Sequence, residues 1–155
     1  MTDDFLQEFN KSILTGFVDK DIKSEVLFQP KLLVNSKTPK KKVLTSILTE
    51  FNNCESFKIS VAFVTTGGVA TIINTLKTLE EKGIKGEILV SQYLNFTQPE
   101  ALERLLQFKN IDLRIATKYS SHSKGYIFKT SKYYNLIIGS SNLTQSALAS
   151  NKEWN

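Results

Sequence analysis

The chain of 155 residues predicts an α/β fold, a mixed β-sheet flanked by helices with a hairpin near its C-terminal end. Between Val43 and Ile115, apolar runs of strand length alternate with segments whose apolar residues recur at helical spacing. That alternation builds a sheet with crossover helices. The last third changes character, because Gly125–Phe128 and Tyr133–Ile138 are separated only by Lys129-Thr130-Ser131-Lys132. Two strands so joined are antiparallel, which makes the sheet mixed.

Taken in order, Thr2 can cap a first helix over about residues 2–14, with Asp3 and Asp4 at its positive end, Phe5, Leu6, Phe9 and Ile13 on one face and Gly16 as its stop. Val26–Phe28 and Lys31–Val34 straddle Pro30 and read as a short extended edge piece. Lys37–Lys42 reads as a solvated basic loop, since charge runs are usually exposed. Val43, Leu44, Ile47, Leu48 and Phe51 then share a helical face, and Phe57–Val64 follows as a buried strand. Thr65-Thr66-Gly67-Gly68 breaks the run; a glycine pair between strand and helix can admit a phosphate and border a site, but without the lysine and spacing of a P-loop it reads as a turn. A helix carrying Val69, Ile72, Ile73, Leu76 and Leu79 ends near Gly83. Ile84–Val90 is the next strand, and Thr97-Gln98-Pro99-Glu100 joins a capping box to an N1 proline, starting a helix through Phe108. Ile111–Ile115 is the strand after it.

Composition removes several classes of function. The length suits one domain, burying roughly two-thirds of its unfolded surface without metal or disulfide. Cys54 is alone, which excludes an internal disulfide and any multi-cysteine zinc site and fits a reducing cytoplasm. No leader is visible and no apolar run nears the ~18 residues a membrane helix requires, so neither export nor a membrane role is expected. The net charge of +5 permits an anionic partner.

One histidine occurs in the chain, His122, and Lys124 follows it. A hairpin turn centred on Ser131 would set Lys124 opposite Ile138 and His122 opposite Ser140, with His122, Lys124, Ser140 and Asn142 on one face. Residues from Leu143 onward can open a helix whose free N–H groups point at the same spot. A cation, an imidazole, a hydroxyl and an amide converging there describe a phosphate site with a nucleophile or proton carrier inside it.

These residues resemble the signature of the phospholipase D superfamily: His122-Ser123-Lys124, then Gly139-Ser140-Ser141-Asn142, then Glu153. The likeness runs from about Lys31 onward and implies a phospholipase D-like fold whose C-terminal hairpin bears the motifs. It implies a nuclease of phosphodiesterase type in which His122 attacks phosphorus to give a phosphohistidine while a second copy of the histidine protonates the leaving oxygen. Lys124 and Asn142 would hold the non-bridging oxygens, Ser140 would hydrogen-bond the phosphate or the ring, and Glu153 would fix the ring tautomer. Such chemistry needs no metal or other cofactor. Where the family usually carries an aspartate, this chain has Lys129, and no aspartate follows Asp112.

With a single histidine, the second imidazole must come from another copy, so the resemblance implies a homodimer joined through the His122 face. The implied substrate is DNA or RNA. Lys118, Lys129 and Lys132 can steer a polyanion or be ordinary solvated lysines, and Tyr93, Phe96, Tyr119, Tyr126, Tyr133 and Tyr134 can stack on bases or simply pack. Residues 1–155 read as one such domain with its core from about residue 30, and Trp154 and Asn155 follow Glu153 so closely that a piece of a longer helicase or restriction-type protein is expected. The other readings are a non-catalytic member that binds nucleic acid or mediates dimerisation, and a phospholipid-transferring enzyme.

Overall fold

The structure, a computed structural model, describes residues 3–13, 30–118 and 121–155 and divides into two units, Met1–Leu32 and Leu33–Asn155. In the first, helix α1 (Asp3–Ile13) forms as its spacing predicts, with Asp3 and Asp4 in its first turn and Lys11 in its last. The Thr2 cap, the Gly16 stop and the piece at Val26–Phe28 lie outside the described residues.

The second unit opens differently from expectation. Lys31–Val34 forms no strand; instead Leu33 exchanges two backbone hydrogen bonds with Asn155, at 2.7 and 3.1 Å. The basic run is not a plain loop either, because β1 (Ser36–Lys37) and β2 (Lys40–Lys41) pair across Thr38-Pro39. So short a ribbon has little stability of its own. Asn35 ties it down: its Oδ1 accepts from Val43 N at 3.0 Å, and its Nδ2 donates to Ala147 O and Asn151 O, each at 2.8 Å.

The remaining elements are α2 (Val43–Asn53), β3 (Ser56–Val61), α3 (Thr66–Glu81), β4 (Lys85–Ser91), α4 (Pro99–Leu106), β5 (Ile111–Ala116), β6 (Gly125–Lys129), β7 (Tyr134–Ile138) and α5 (Gln145–Ala149). The sheet order is β5-β4-β3-β6-β7, with β3, β4 and β5 parallel and β6 and β7 antiparallel. Alternation along the strands buries one sheet face: Phe57, Ile59 and Val61 of β3, Ile88 and Val90 of β4, Tyr126 and Phe128 of β6. Val43, Ile47 and Phe51 of α2, Val69, Ile72 and Leu76 of α3 and Leu105 of α4 join them in one core. Each such side chain contributes roughly 1.5–3 kcal/mol on burial. Phe51 stands edge-on to Phe57 and Phe128, at centroid distances of 5.0 and 5.1 Å. The other face bears Leu89, Leu136 and Ile138 in the open, beside the Lys58–Glu87 ion pair.

Direction reverses at β3, which is parallel to β4 on one side and antiparallel to β6 on the other. The segments leaving β3 and β4, entering β6 and leaving β7 therefore all emerge at one end of the sheet. Open α/β sheets carry their crevices at such reversal points, beyond the strand carboxyl ends.

Local details correct three expectations. Thr97 caps nothing: its Oγ1 donates to Ser91 O at 3.2 Å, the N-cap is Gln98, and α4 stops at Leu106 with Pro99 at its start. Thr65-Thr66-Gly67-Gly68 does not stay a turn, because Thr65 caps α3 by accepting from Gly68 N at 3.1 Å and both glycines enter the first helical turn. The hairpin register is shifted by one residue, Gly125 facing Ile138 and Tyr126 facing Ile137. Thr130 and Tyr133 close the loop through Thr130 N to Tyr133 O at 2.9 Å, so its centre falls between Ser131 and Lys132. Since a shift of one exchanges faces, Lys124 no longer opposes Ile138; its carbonyl accepts from Gly139 N at 3.3 Å.

Gly68 shows how tightly α3 meets the C-terminal motif. A Cβ there would stand 1.8 Å from Leu143 O, whereas at Gly67 its nearest neighbour would be the flexible end of Gln145 at 3.3 Å. Gly68→Ala is expected to destabilise by about 2–3 kcal/mol, while Gly67→Ala should be neutral or stabilise by up to about 1 kcal/mol, since alanine is the better helix former. Thermal or urea unfolding of the two variants measures the contrast; equal effects would contradict the packing.

Candidate active site

The segments that follow β3 and β7 meet at the carboxyl end of β3. Asn142 is buried, and its Oδ1 accepts from Ala62 N at 3.0 Å and Phe63 N at 3.3 Å, the two residues that follow β3. The next residue continues the seam: Leu143 O accepts from Thr65 N at 3.2 Å, and Leu143 forms a parallel bridge with Val64. With its oxygen committed, Asn142 has only its Nδ2 hydrogens left, and these have no partner among the described residues. A cleft of about 510 Å³ opens here, lined among others by Phe63, Thr65, Gly67, Gln98, Asn142 and Glu153.

Lys124 is 7 % exposed, just before β6. Its Nζ donates to the carbonyl of His122 at 2.6 Å. Desolvation lowers its pKa below the ordinary lysine value, and the charge of Glu153 pulls part of the way back. No carboxylate of the described residues lies within ion-pair distance of it. Tyr126, wholly buried beneath, donates its hydroxyl to Ser141 O at 3.0 Å, and burial raises its pKa far above the ordinary value.

Ser140 and Glu153 meet directly, the hydroxyl donating to Glu153 Oε2. Ser140 also receives Trp154 N at 3.1 Å and donates its own N–H to Trp154 O at 3.0 Å. The C-terminal segment is thereby laid along the Gly139–Ser141 turn, so closely that a Cβ on Gly139 would stand 2.0 Å from Trp154 O. Here the glycine is required by the approach of a second backbone.

His122 is exposed and does not line that cleft; its ring rests on Tyr93, centroids 4.4 Å apart and planes inclined by 40°. Residues 121–124 form no regular strand, so the shared face expected for His122 and Lys124 is absent, one being in solvent and the other buried. Ser121 N is held by Ser91 Oγ at 2.9 Å, which fixes the motif segment to the end of β4. Lys129 sits at the far end of β6, about 16 Å from Lys124 along the strand. The helix expected after Leu143 is only Gln145–Ala149, capped by Thr144 through Ala147 N at 3.1 Å.

Residues 47–155 match the family model described as "Cardiolipin synthase, PLD-like domain". The chain belongs to the phospholipase D superfamily. Among solved structures, this phospholipase D-like chain resembles NucT from Helicobacter pylori, with a TM-score of 0.59 and 19 % identity over 80 % of each chain. It also resembles polyphosphate kinase from Porphyromonas gingivalis, with a TM-score of 0.53 and 16 % identity over 99 % of this chain. The chain spans 23 % of that kinase. Identities this low show a common fold. No curated protein sequence matches the chain.

Among the described residues, no group of histidine, cysteine, aspartate and glutamate is arranged to hold a metal ion. Nor is any helix there long and apolar enough to cross a membrane. Sequence reasoning overlooked Gln98, whose Oε1 accepts from Thr66 N at 2.7 Å and Thr66 Oγ1 at 3.0 Å at the rim of the cleft. It also assigned no contact to Tyr93. The glycine pair after β3 was the available signal for this wall, because glycines there allow another backbone to approach.

Two outcomes follow for the buried polar groups. Asn142→Leu leaves the amides of Ala62 and Phe63 unpaired and is expected to cost about 2–4 kcal/mol in unfolding experiments. For Lys124 the folded pKa lies below the unfolded one, so the folded state binds its proton less tightly and stability rises as pH climbs toward the lysine range. Lys124→Met should flatten that alkaline rise and stabilise the neutral-pH protein by about 1 kcal/mol, as read from unfolding midpoints between pH 7 and 10.

Proposed function

We propose that this chain is a metal-independent phosphodiesterase acting on DNA or RNA, working as a homodimer with His122 as nucleophile. The observation that carries the reading is a pair of unspent donors in a member of this superfamily: a buried Lys124 ammonium without a paired carboxylate, and Asn142 Nδ2 without an acceptor. A cation without a counter-ion and an open amide donor favour an anion, and a phosphate diester has the charge and the oxygens to satisfy them. In this reading His122 Nε2 displaces the leaving oxygen to form a phosphohistidine, and His122 of the second copy gives the leaving oxygen its proton. Water then attacks phosphorus and displaces His122 Nε2, breaking the phosphorus–nitrogen bond and freeing the first ring, while the water's proton passes back to the second ring. Lys124 and Asn142 hold the non-bridging oxygens, Glu153 holds Ser140 at the rim, and the His122 ring leaves Tyr93 to face the phosphate.

Attachment to a helicase, a cytoplasmic setting and a single domain spanning residues 1–155 belong to the same proposal. A binding or dimerisation module without turnover is the second reading, favoured by Lys129 in the place of the family's aspartate and by a His122 ring that rests on Tyr93 and does not line the cleft. Phosphatidyl transfer is the third, suggested by the cardiolipin synthase description of the matching family. Labelled oligonucleotides incubated in EDTA separate them. Cleavage that survives EDTA and falls at least a thousandfold in His122→Ala is expected; no cleavage by a verified dimer overturns catalysis, and transfer to a lipid acceptor alone supports the third reading.

A further inference from the structure

The segment between β4 and α4 projects aromatic rings that no core requirement explains. Tyr93–Asn95 makes a single 3-10 turn with Leu94 and Asn95 in the left-handed region, at φ of 49° and 56°. A leucine rarely adopts that conformation, so the surroundings must hold it. Thr97 Oγ1 on Ser91 O closes the base of the loop, and Phe96 N donates to Tyr93 O at 3.2 Å across it. The result is an outward display: Leu94 is 64 % and Phe96 is 54 % exposed.

The loop lies between the two halves of the candidate site. Tyr93 touches the ring of His122, and Phe96 stands edge-on to Phe63 at 5.5 Å and 74°. Phe63 in turn lines the cleft and gives its amide to Asn142. Flat apolar faces thus border a place whose spare donors call for phosphate. A nucleotide bound by its phosphate carries its base only a few bonds away, within reach of this rim.

We propose that the Tyr93–Phe96 loop, with Phe63, is a base-stacking subsite that selects single-stranded nucleic acid, Phe96 providing the principal ring face. The inference rests on the phosphodiesterase reading for the position of the phosphate. Only an unpaired base can offer its face, because paired bases are stacked on their neighbours, and stacking on a ring tolerates any base sequence. A bilayer is the weaker occupant, since two exposed apolar side chains bury too little surface to hold one.

Anisotropy with the whole chain in EDTA tests this, comparing a labelled single-stranded oligonucleotide, its duplex, and an oligomer of equal length made of abasic units. The oligonucleotide is expected to bind roughly 5- to 150-fold more tightly than the abasic oligomer, the range of one stacked base. Phe96→Ala should remove most of that preference, Phe96→Leu should fail to restore it, and Phe96→Trp should keep it. Equal affinity for base-bearing and abasic oligomers, preference for the duplex, or a preference that Phe96→Ala leaves intact each overturns the subsite. So does Phe96-dependent binding to phosphatidylglycerol vesicles with none to the oligonucleotide. Cleavage by the wild-type chain is scored separately, so a stacking subsite without turnover, or turnover without stacking, is recognised for what it is.

Discussion

The carboxamide oxygen of Asn142, accepting from the amides of Ala62 and Phe63, pins the C-terminal motif to the end of the central strand. Without that clamp the two amides that follow β3 would be buried and unpaired, and the segment leaving β7 would have nothing to settle against. The Leu143 carbonyl extends the seam to Thr65, and Gly68 lets α3 approach it without a side chain between them. Three short contacts thus join residues about eighty positions apart in sequence, which is why loss of any one costs more than a surface hydrogen bond would.

Because β3 is where the sheet changes from parallel to antiparallel, this clamp also decides which end of the sheet carries the cleft. Segments from β3, β4, β6 and β7 reach the same end of the sheet, the end that Phe63, Tyr93, Lys124 and Asn142 occupy although none is adjacent in sequence. The cost is visible in Lys124, whose buried ammonium is held below its ordinary pKa. Its one hydrogen bond, to the carbonyl of His122, does not replace the water it has lost, so the buried cation is a destabilising feature of the folded chain. Glu153 moderates it by adding negative charge nearby while engaging the hydroxyl of Ser140.

Most elements were legible because their signals are local. The apolar period of Val43–Phe51 and Val69–Leu79 made α2 and α3, the left-handed Gly83 ended the latter, and Pro99 opened α4 as its fixed φ allows. Thr97 misled because a hydroxyl that can cap a helix can equally reach a carbonyl further back, and Ser91 O was within range. The register slipped for a related reason. Where the centre of a loop falls depends on which residues close it, and Thr130 chose Tyr133.

The sequence by itself determined the alternation of strands and helices, the antiparallel hairpin and the ordered set His122, Lys124, Ser140, Asn142 and Glu153, since each rests on residue type and short spacing. Tertiary structure alone decided how those residues are used. It spent the Ser140 hydroxyl on Glu153, set Lys124 inside and His122 against Tyr93 outside, and brought Gly67 of α3 to the cleft wall. Those outcomes turn on which buried donor meets which acceptor across the fold, and such pairings are fixed only when the sheet has closed on its helices.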